Sequence, residues 1–335
     1  MKKNLLWLFA ATLSLCLSTS LTSCGGDDDN DDPAPAPETV TKKITKTDTK
    51  IEISDIQGID ISAMIKMLKP ELDIPISGDK FSATTTWTFT YDAAGRISSM
   101  EGNLNYMILK LPIGKATYQH KGNSIIINYE GASFDTGNMS LTTIAGKHEI
   151  VLLNGLIQQE NDIVAESQGK TEVISYSYDA NGRMTQATRK GGAGETITYA
   201  RNDEGCLTSV TKVPDEFNTS FSFNYDNATF GNMSLAACDF PHGLMEIQTY
   251  VMPSAALLPL QVGGLYGKTS PKMIRSMKAN LWIESLDAPA TLSLNAQTER
   301  NADNEIKAAK ISGQVNVAEG EVSANLSLDS KFTWN

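Results

Sequence analysis

The chain has 335 residues, 41% apolar and 20% charged, enough to bury a core in one large or two ordinary domains. Its formal net charge is −11; if residues 1–23 are removed, Lys2 and Lys3 go with them, leaving 26 basic against 39 acidic residues, a net −13. A surface that acidic repels phosphate backbones, which argues against nucleic acid as a partner.

The N-terminus reads as an export signal. Lys2 and Lys3 precede an apolar run from Leu5 to Leu17, and small polar residues follow. The run is too short and too lightly flanked for a spanning helix. Leu21-Thr22-Ser23-Cys24 resembles a bacterial lipobox, which makes residues 1–23 a lipoprotein signal peptide and Cys24 the lipidated first residue of the mature chain. The bland alternative is a simple signal peptide with Cys24 incidental.

Residues 24–40 form the expected tether. Asp27 to Asp32 pack five aspartates around Asn30, which repel one another and cannot bury apolar area. They resemble the acidic export signal that follows the lipidated cysteine in Bacteroidota surface lipoproteins. That resemblance implies an outer-membrane protein facing the cell surface. Pro33-Ala34-Pro35-Ala36-Pro37 favours extended polyproline conformation, so residues 25–38 reach on the order of 40 Å at about 3.1 Å per residue.

Residues 41–80 are a lead-in segment. Val40 to Lys50 alternates Thr with Lys, an exposed strand or more linker. Ile61, Ile65 and Leu68 fall at helical spacing between a capping Asp60 and the stop at Pro70.

Residues 81–335 are the expected repeated β-hairpin domain, and from Thr84 the period changes to two. Trp87, Phe89 and Tyr91 share one face and Thr86, Thr88 and Thr90 the other. Tyr91-Asp92-Ala93-Ala94-Gly95-Arg96 then suits a hairpin turn with Gly95 in the left-handed region. It recurs as Tyr178-Asp179-Ala180-Asn181-Gly182-Arg183, and more weakly at Tyr199 to Gly205. The turn formers are therefore Asp92, Gly95, Asp179, Gly182 and Gly205. A second stretch, Asn128-Tyr129 to Leu141, matches Asn224-Tyr225 to Leu235 with two residues deleted. Two ordered matches predict tandem multi-hairpin units over about 84–160 and 171–250.

These alternating Tyr-x-Tyr-Asp-x-x-Gly-Arg hairpins are similar to YD-type repeats. With the lipobox and Leu265 to Ser270, the chain resembles a family of Bacteroidota surface lipoproteins described as having a porin-like fold. The family has no assigned activity, so the resemblance supplies no catalytic residues. The chain departs from the pattern at Cys206, where Arg is usual.

Residues 251–279 interrupt the strand rhythm with Pro253, Pro259, Gly263, Gly264 and Pro271, and Ser270-Pro271 suits a short helix running to Met277. Ala279–Glu284, Thr291–Thr298, Lys310–Val317 and Ala324–Trp334 read as final strands. The expected fold is all-β: an antiparallel meander of repeated hairpins, as a curved open sheet or partly closed barrel, with one or two short helices.

No chemistry rises above this framework. The segment Gly263 to Thr269 is no phosphate loop, because Val262 stands where the first glycine is required. His120, His148 and His242 lack informative partners in sequence. Cys206 and Cys238 stand in no metal-ligand spacing, and whether they pair is open. No cofactor, metal or catalytic residue is assigned. The aromatic rings read first as core or cross-strand pairs, with a sugar-stacking platform as the alternative. The expected function is a non-enzymatic, lipid-anchored binding module for a ligand or glycan. Behind it stand an assembly role beside an outer-membrane protein partner, a hydrolase with spatially assembled carboxylates, and a membrane barrel.

Overall fold

The computed structural model describes residues 43–57, 80–106, 109–135, 140–164, 171–190, 194–213, 220–229, 251–268, 270–283, 288–302, 306–317 and 322–335. Strands alternate inward and outward residues with few interruptions, and each pairs antiparallel with its neighbours. They are β1 (Ile44–Gln57), β2 (Phe81–Tyr91), β3 (Ile97–Tyr106), β4 (Leu109–Lys121), β5 (Ser124–Asp135), β6 (Ser140–Leu153), β7 (Leu156–Val164) and β8 (Thr171–Tyr178). Then come β9 (Met184–Lys190), β10 (Thr196–Arg201), β11 (Leu207–Val213), β12 (Ser220–Thr229), the helix α1 (Val251–Val262), β13 (Lys272–Ile283), β14 (Ala288–Arg300), β15 (Ile306–Val317) and β16 (Val322–Trp334).

All sixteen strands belong to one sheet, in the order β11 back to β1, then β16 back to β12. The first strand therefore pairs with the last, Ile51 opposite Leu328 and Ile53 opposite Leu326. The sheet curls until its edges β11 and β12 lie against each other, a nearly closed barrel. Among the described residues no backbone ladder joins them; side chains do. The Tyr225 hydroxyl on β12 donates to the Leu207 carbonyl at 2.7 Å, and the Leu207 N–H donates to Ser270 Oγ at 3.1 Å.

Period-two alternation decides which face is which. On β2, Phe81, Ala83, Thr85, Trp87 and Phe89 are buried, and Ser82, Thr88 and Thr90 are exposed. One continuous cluster of buried apolar side chains draws on strands from every part of the sheet, so the apolar face is the interior. Large rings fit there because glycines face them. Trp87 stands opposite Gly102 and Tyr129 opposite Gly146, and a Cβ at either glycine would be driven into the ring. The interior is also filled by α1, whose Ala255, Ala256, Leu257 and Leu260 are buried and which packs on β3, β4 and β5. The Tyr118 hydroxyl donates to the Ala256 carbonyl at 2.7 Å.

Two expectations need correction. The helix over 270–277 is absent: Lys272–Ile283 is a strand, paired on both sides, with Ile274 and Ala279 turned inward. A ladder on each side outweighs the local Ser-Pro start signal. The helix lies earlier, over Val251–Val262, with Pro259 inside it. Pro253 sits in its first turn, where a missing N–H costs nothing. The Thr/Lys segment is strand rather than linker, and it is half-buried: Thr47 and Thr49 are fully enclosed and Thr49 Oγ1 lies 2.9 Å from Ser330 Oγ. The expected helix over 60–68 lies outside the described residues.

Candidate functional site

The predicted turn formers share one geometry. The Asp92 carbonyl accepts from Gly95 N–H at 2.8 Å, and Asp92 Oδ1 accepts from Arg96 N–H at 2.8 Å. At the second copy the same pair of bonds joins Asp179 to Gly182 and Arg183, at 3.0 and 2.8 Å. The third copy uses Asn202, whose Oδ1 accepts from Cys206 N–H at 2.9 Å. Gly95, Gly182 and Gly205 all take positive φ, at 75°, 74° and 83°. The acceptor is a side-chain oxygen that Asp and Asn both carry, and the donor is backbone, so the turn keeps this bond with Cys206 in place of Arg; in the first copy the Arg96 guanidinium also donates to Asp92 Oδ2 at 2.7 Å. The tyrosine before each aspartate ties the turn sideways: the Tyr91 hydroxyl donates to the Ile44 carbonyl, and that of Tyr178 to the Ile157 carbonyl. Burial pushes the Tyr91 phenol up to about 12. The second repeated stretch places Asn128-Tyr129 on β5, three strands after its turn, but Asn224-Tyr225 on β12, four strands after. The two copies therefore cross the sheet in opposite directions.

The turns define a rim. All three lie at the end where β1 begins and β16 finishes, and there Lys43 and Asn335 exchange hydrogen bonds of 2.7 and 3.1 Å. The chain thus enters the barrel from residues 24–42 at the turn-bearing rim. Cys24 itself lies outside the described residues.

Inside the barrel, below that rim, is a buried polar cluster that spacing does not reveal. The Glu160 carboxyl accepts from the Tyr176 hydroxyl at 2.8 Å and the Tyr266 hydroxyl at 3.2 Å. His148 Nδ1 stands 3.2 Å from the other carboxyl oxygen, and His148 and Glu160 are both fully enclosed. Burial first, and the Glu160 charge second, push the Tyr176 and Tyr266 phenols far up. The signal that places His148 beside Glu160 is Asn154-Gly155, both at positive φ, a two-residue hairpin turn that sets the β6–β7 register. Tyr266 arrives from the loop after α1. Its neighbours Leu265 and Lys268 are pinned by backbone bonds to Ile157 and Gly182. The Gly263 to Lys268 segment is therefore a packed closure over the cluster. Through the Glu160 carboxyl, the Tyr176 and Tyr266 hydroxyls tie the loop after α1 to the barrel wall.

The other candidates resolve similarly. His120 Nε2 lies 2.9 Å from the Ile97 carbonyl. Cys206 is a buried free thiol at the start of β11, and Cys238 and His242 lie outside the described residues. Trp87, Phe89, Tyr176 and Tyr199 are buried, so their rings are core. Trp334 turns inward, its indole N–H donating to the Ile306 carbonyl at 2.9 Å. Among the described residues there is no cluster of three metal-ligating side chains, and no helix is long and apolar enough to cross a membrane.

The outer wall carries a groove of about 550 Å³ crossing β14, β15, β16 and β1. Its walls are hydroxyls and amides, among them Ser293, Asn295, Ser312, Gln314, Asn325 and Ser327. Among the described residues the charges lining it are Glu52 and Lys80, paired at 3.3 Å, and Lys50 holds Glu52 from the side at 3.0 Å. The hydrogen bond from Lys50 lowers the Glu52 pKa. Two backbone irregularities shape the groove. The β1–β16 register shifts between Ser54 and Gln57, with Asp55 at φ 52°. At Gly313 a Cβ would collide with the Ser293 carbonyl and meet Leu294 Cα at 2.8 Å, so the backbones of β14 and β15 approach there as only glycine permits.

Comparison with known proteins gives a fold and no more. No family model matches the chain, and no curated protein matches it. Among solved structures, it is similar to a porin-like protein from Bacteroides uniformis, with a TM-score of 0.52 over 87% of this chain and 98% of that one. At 11% identity the likeness is one of architecture, a porin-like β-barrel.

Proposed function

We propose that this protein is a non-enzymatic binding module held at the outer membrane by lipidated Cys24, facing the cell surface, with its barrel standing in water. The observation that carries this reading is the direction of the two faces. The interior is apolar and closed by α1 and the Tyr266 loop. The outward positions are polar: on β16 they run Asn325, Ser327, Asp329, Lys331 and Thr333. A lipid-spanning barrel has the reverse pattern, an apolar outer band about 25 Å tall. Val151, Leu153 and Val213 are the exposed large apolar residues among those described, too few and too scattered for such a band. With the interior closed, a ligand or glycan is met on the outer wall or the rims. The porin-like likeness supports a barrel and is silent on immersion.

Three measurements test the reading. Palmitate labelling is expected for the full chain and lost in Cys24→Ala. Protease added to intact cells is expected to remove the barrel. Crosslinking on intact cells is expected to capture a ligand or partner without chemical turnover. Labelling that persists in Cys24→Ala, or protection from protease on intact cells, overturns it.

A further inference from the structure

We infer that the groove across β14, β15, β16 and β1 is a binding site for a neutral glycan, an uncharged oligosaccharide rich in hydroxyls; this rests on the outer wall being the working surface. Its position comes first. The groove draws on Glu52 and Ser54 in the second half of β1, on Lys80 just before β2, and on Asn325 and Ser327 early in β16. These positions lie toward the rim opposite the tether. Eight residues separate Ile44 from Glu52, roughly 26 Å of strand at about 3.3 Å per residue. A molecule tethered at Lys43 therefore presents this groove away from the membrane.

Its chemistry fixes the ligand class. Ser, Asn and Gln side chains each donate and accept, matching sugar hydroxyls that also do both. Glu52 and Asp55 stand against Lys50 and Lys80, so the charges of the described groove sum to zero and offer no net attraction to a phosphate, sulfate or ammonium group. The volume lies within the range of small-ligand sites, roughly 300–1,000 Å³.

Its construction is the third argument. Gly313 and the left-handed Asp55 place two backbone departures from regular sheet at the edges of one concavity. Asp55 Oδ2 also accepts a hydrogen bond from the Asn325 amide, which orients that groove side chain. With no aromatic ring among the described lining residues, affinity is weak, on the order of millimolar per site. Many anchored copies on one surface raise it by avidity.

The test uses the full-length lipidated protein in a detergent without a sugar headgroup, run in affinity electrophoresis through dextran, mannan, a neutral β-glucan and dextran sulfate. Retardation is expected in at least one neutral polymer and not in dextran sulfate. Stripping the polar groups with Asn295→Leu plus Gln314→Leu is expected to weaken retention at least tenfold, and Thr198→Leu on distant β10 to leave it unchanged. Asn295→Ala plus Gln314→Ala, which adds no apolar bulk, is expected to weaken it several-fold and guards against misfolding of the leucine pair. If the groove variants bind like wild type, the site is wrong while surface binding stands. Retardation by dextran sulfate alone overturns the neutral class. No retardation in any polymer overturns the glycan assignment, and partner capture on cells then decides the broader reading.

Discussion

Glu160→Ala should cost a large share of the protein's stability, and the amount follows from the interior geometry. Two buried tyrosine hydroxyls, of Tyr176 and Tyr266, share this carboxyl as acceptor, at 2.8 and 3.2 Å. Removing it takes that acceptor from both, at about 1–3 kcal/mol each. Truncation also opens a cavity under the Tyr266 loop, so the expected loss is about 3–6 kcal/mol against a total of about 5–15. Glu160→Gln keeps the volume and one carbonyl oxygen, and should cost less than half as much. The assay is denaturant unfolding of the full chain followed by tyrosine and tryptophan fluorescence, with a double-mutant cycle against Tyr266→Phe. A coupling of about 0.5–3 kcal/mol is expected for groups in direct contact. Alanine and glutamine variants of equal stability, or zero coupling to Tyr266, would refute the assignment of Glu160 as the tie that holds the loop.

Three further outcomes follow from the same coordinates. Gly102→Ala should cost about 3 kcal/mol by overpacking Trp87, whereas Gly122→Ala, with open space around its Cβ and φ of 54°, should cost only about 1–2; equal thermal shifts would contradict the ring-on-glycine pairing. Asp179→Asn should be nearly neutral, since Asn202 already performs that role in the third turn, and Asp179→Ala should cost about 1 kcal/mol by losing the acceptor for Asn181 and Arg183 N–H; an asparagine as damaging as alanine would contradict it. Tyr118, Tyr176 and Tyr266 have phenols pushed far above the ordinary 10 by burial, so the folded state keeps protons there that the unfolded chain sheds. Stability is therefore full below about pH 10 and falls as pH rises beyond it. Phenolate absorbance from these three should appear only with unfolding, and a smooth titration near pH 10 would contradict their enclosure.

What was legible in the sequence was whatever depends on near neighbours. Trp87, Phe89 and Tyr91 show their strand directly, because a half-buried strand repeats every two residues. The turn at Asp92 is equally local, its hydrogen bonds spanning only four residues. The site residues were hidden for the opposite reason. His148 and Glu160 meet across a hairpin whose register is set by Asn154 and Gly155, and Tyr266 reaches them from 106 residues along the chain. The groove is more remote still, since it needs β1 beside β16, the two ends of the chain. Val251–Val262 failed as a helix signal because Pro253 and Pro259 argue locally against one, while enclosure of Ala255 to Leu257 favours it only in the folded barrel. Ser270 failed in the same way: a helix-start residue by sequence, it bridges the barrel seam as an acceptor for Leu207 N–H.

Everything proposed for this protein turns on which medium touches its outer wall. Spin labels at Thr88, Thr198 and Asp329, introduced singly as cysteines into the lipidated protein in liposomes, read this directly, since all three positions point outward and are exposed. High collision rates with a water-soluble nickel chelate and low rates with dissolved oxygen, at all three sites, are the predicted result. Oxygen accessibility exceeding that of the chelate at these sites would place the wall in lipid and contradict the account.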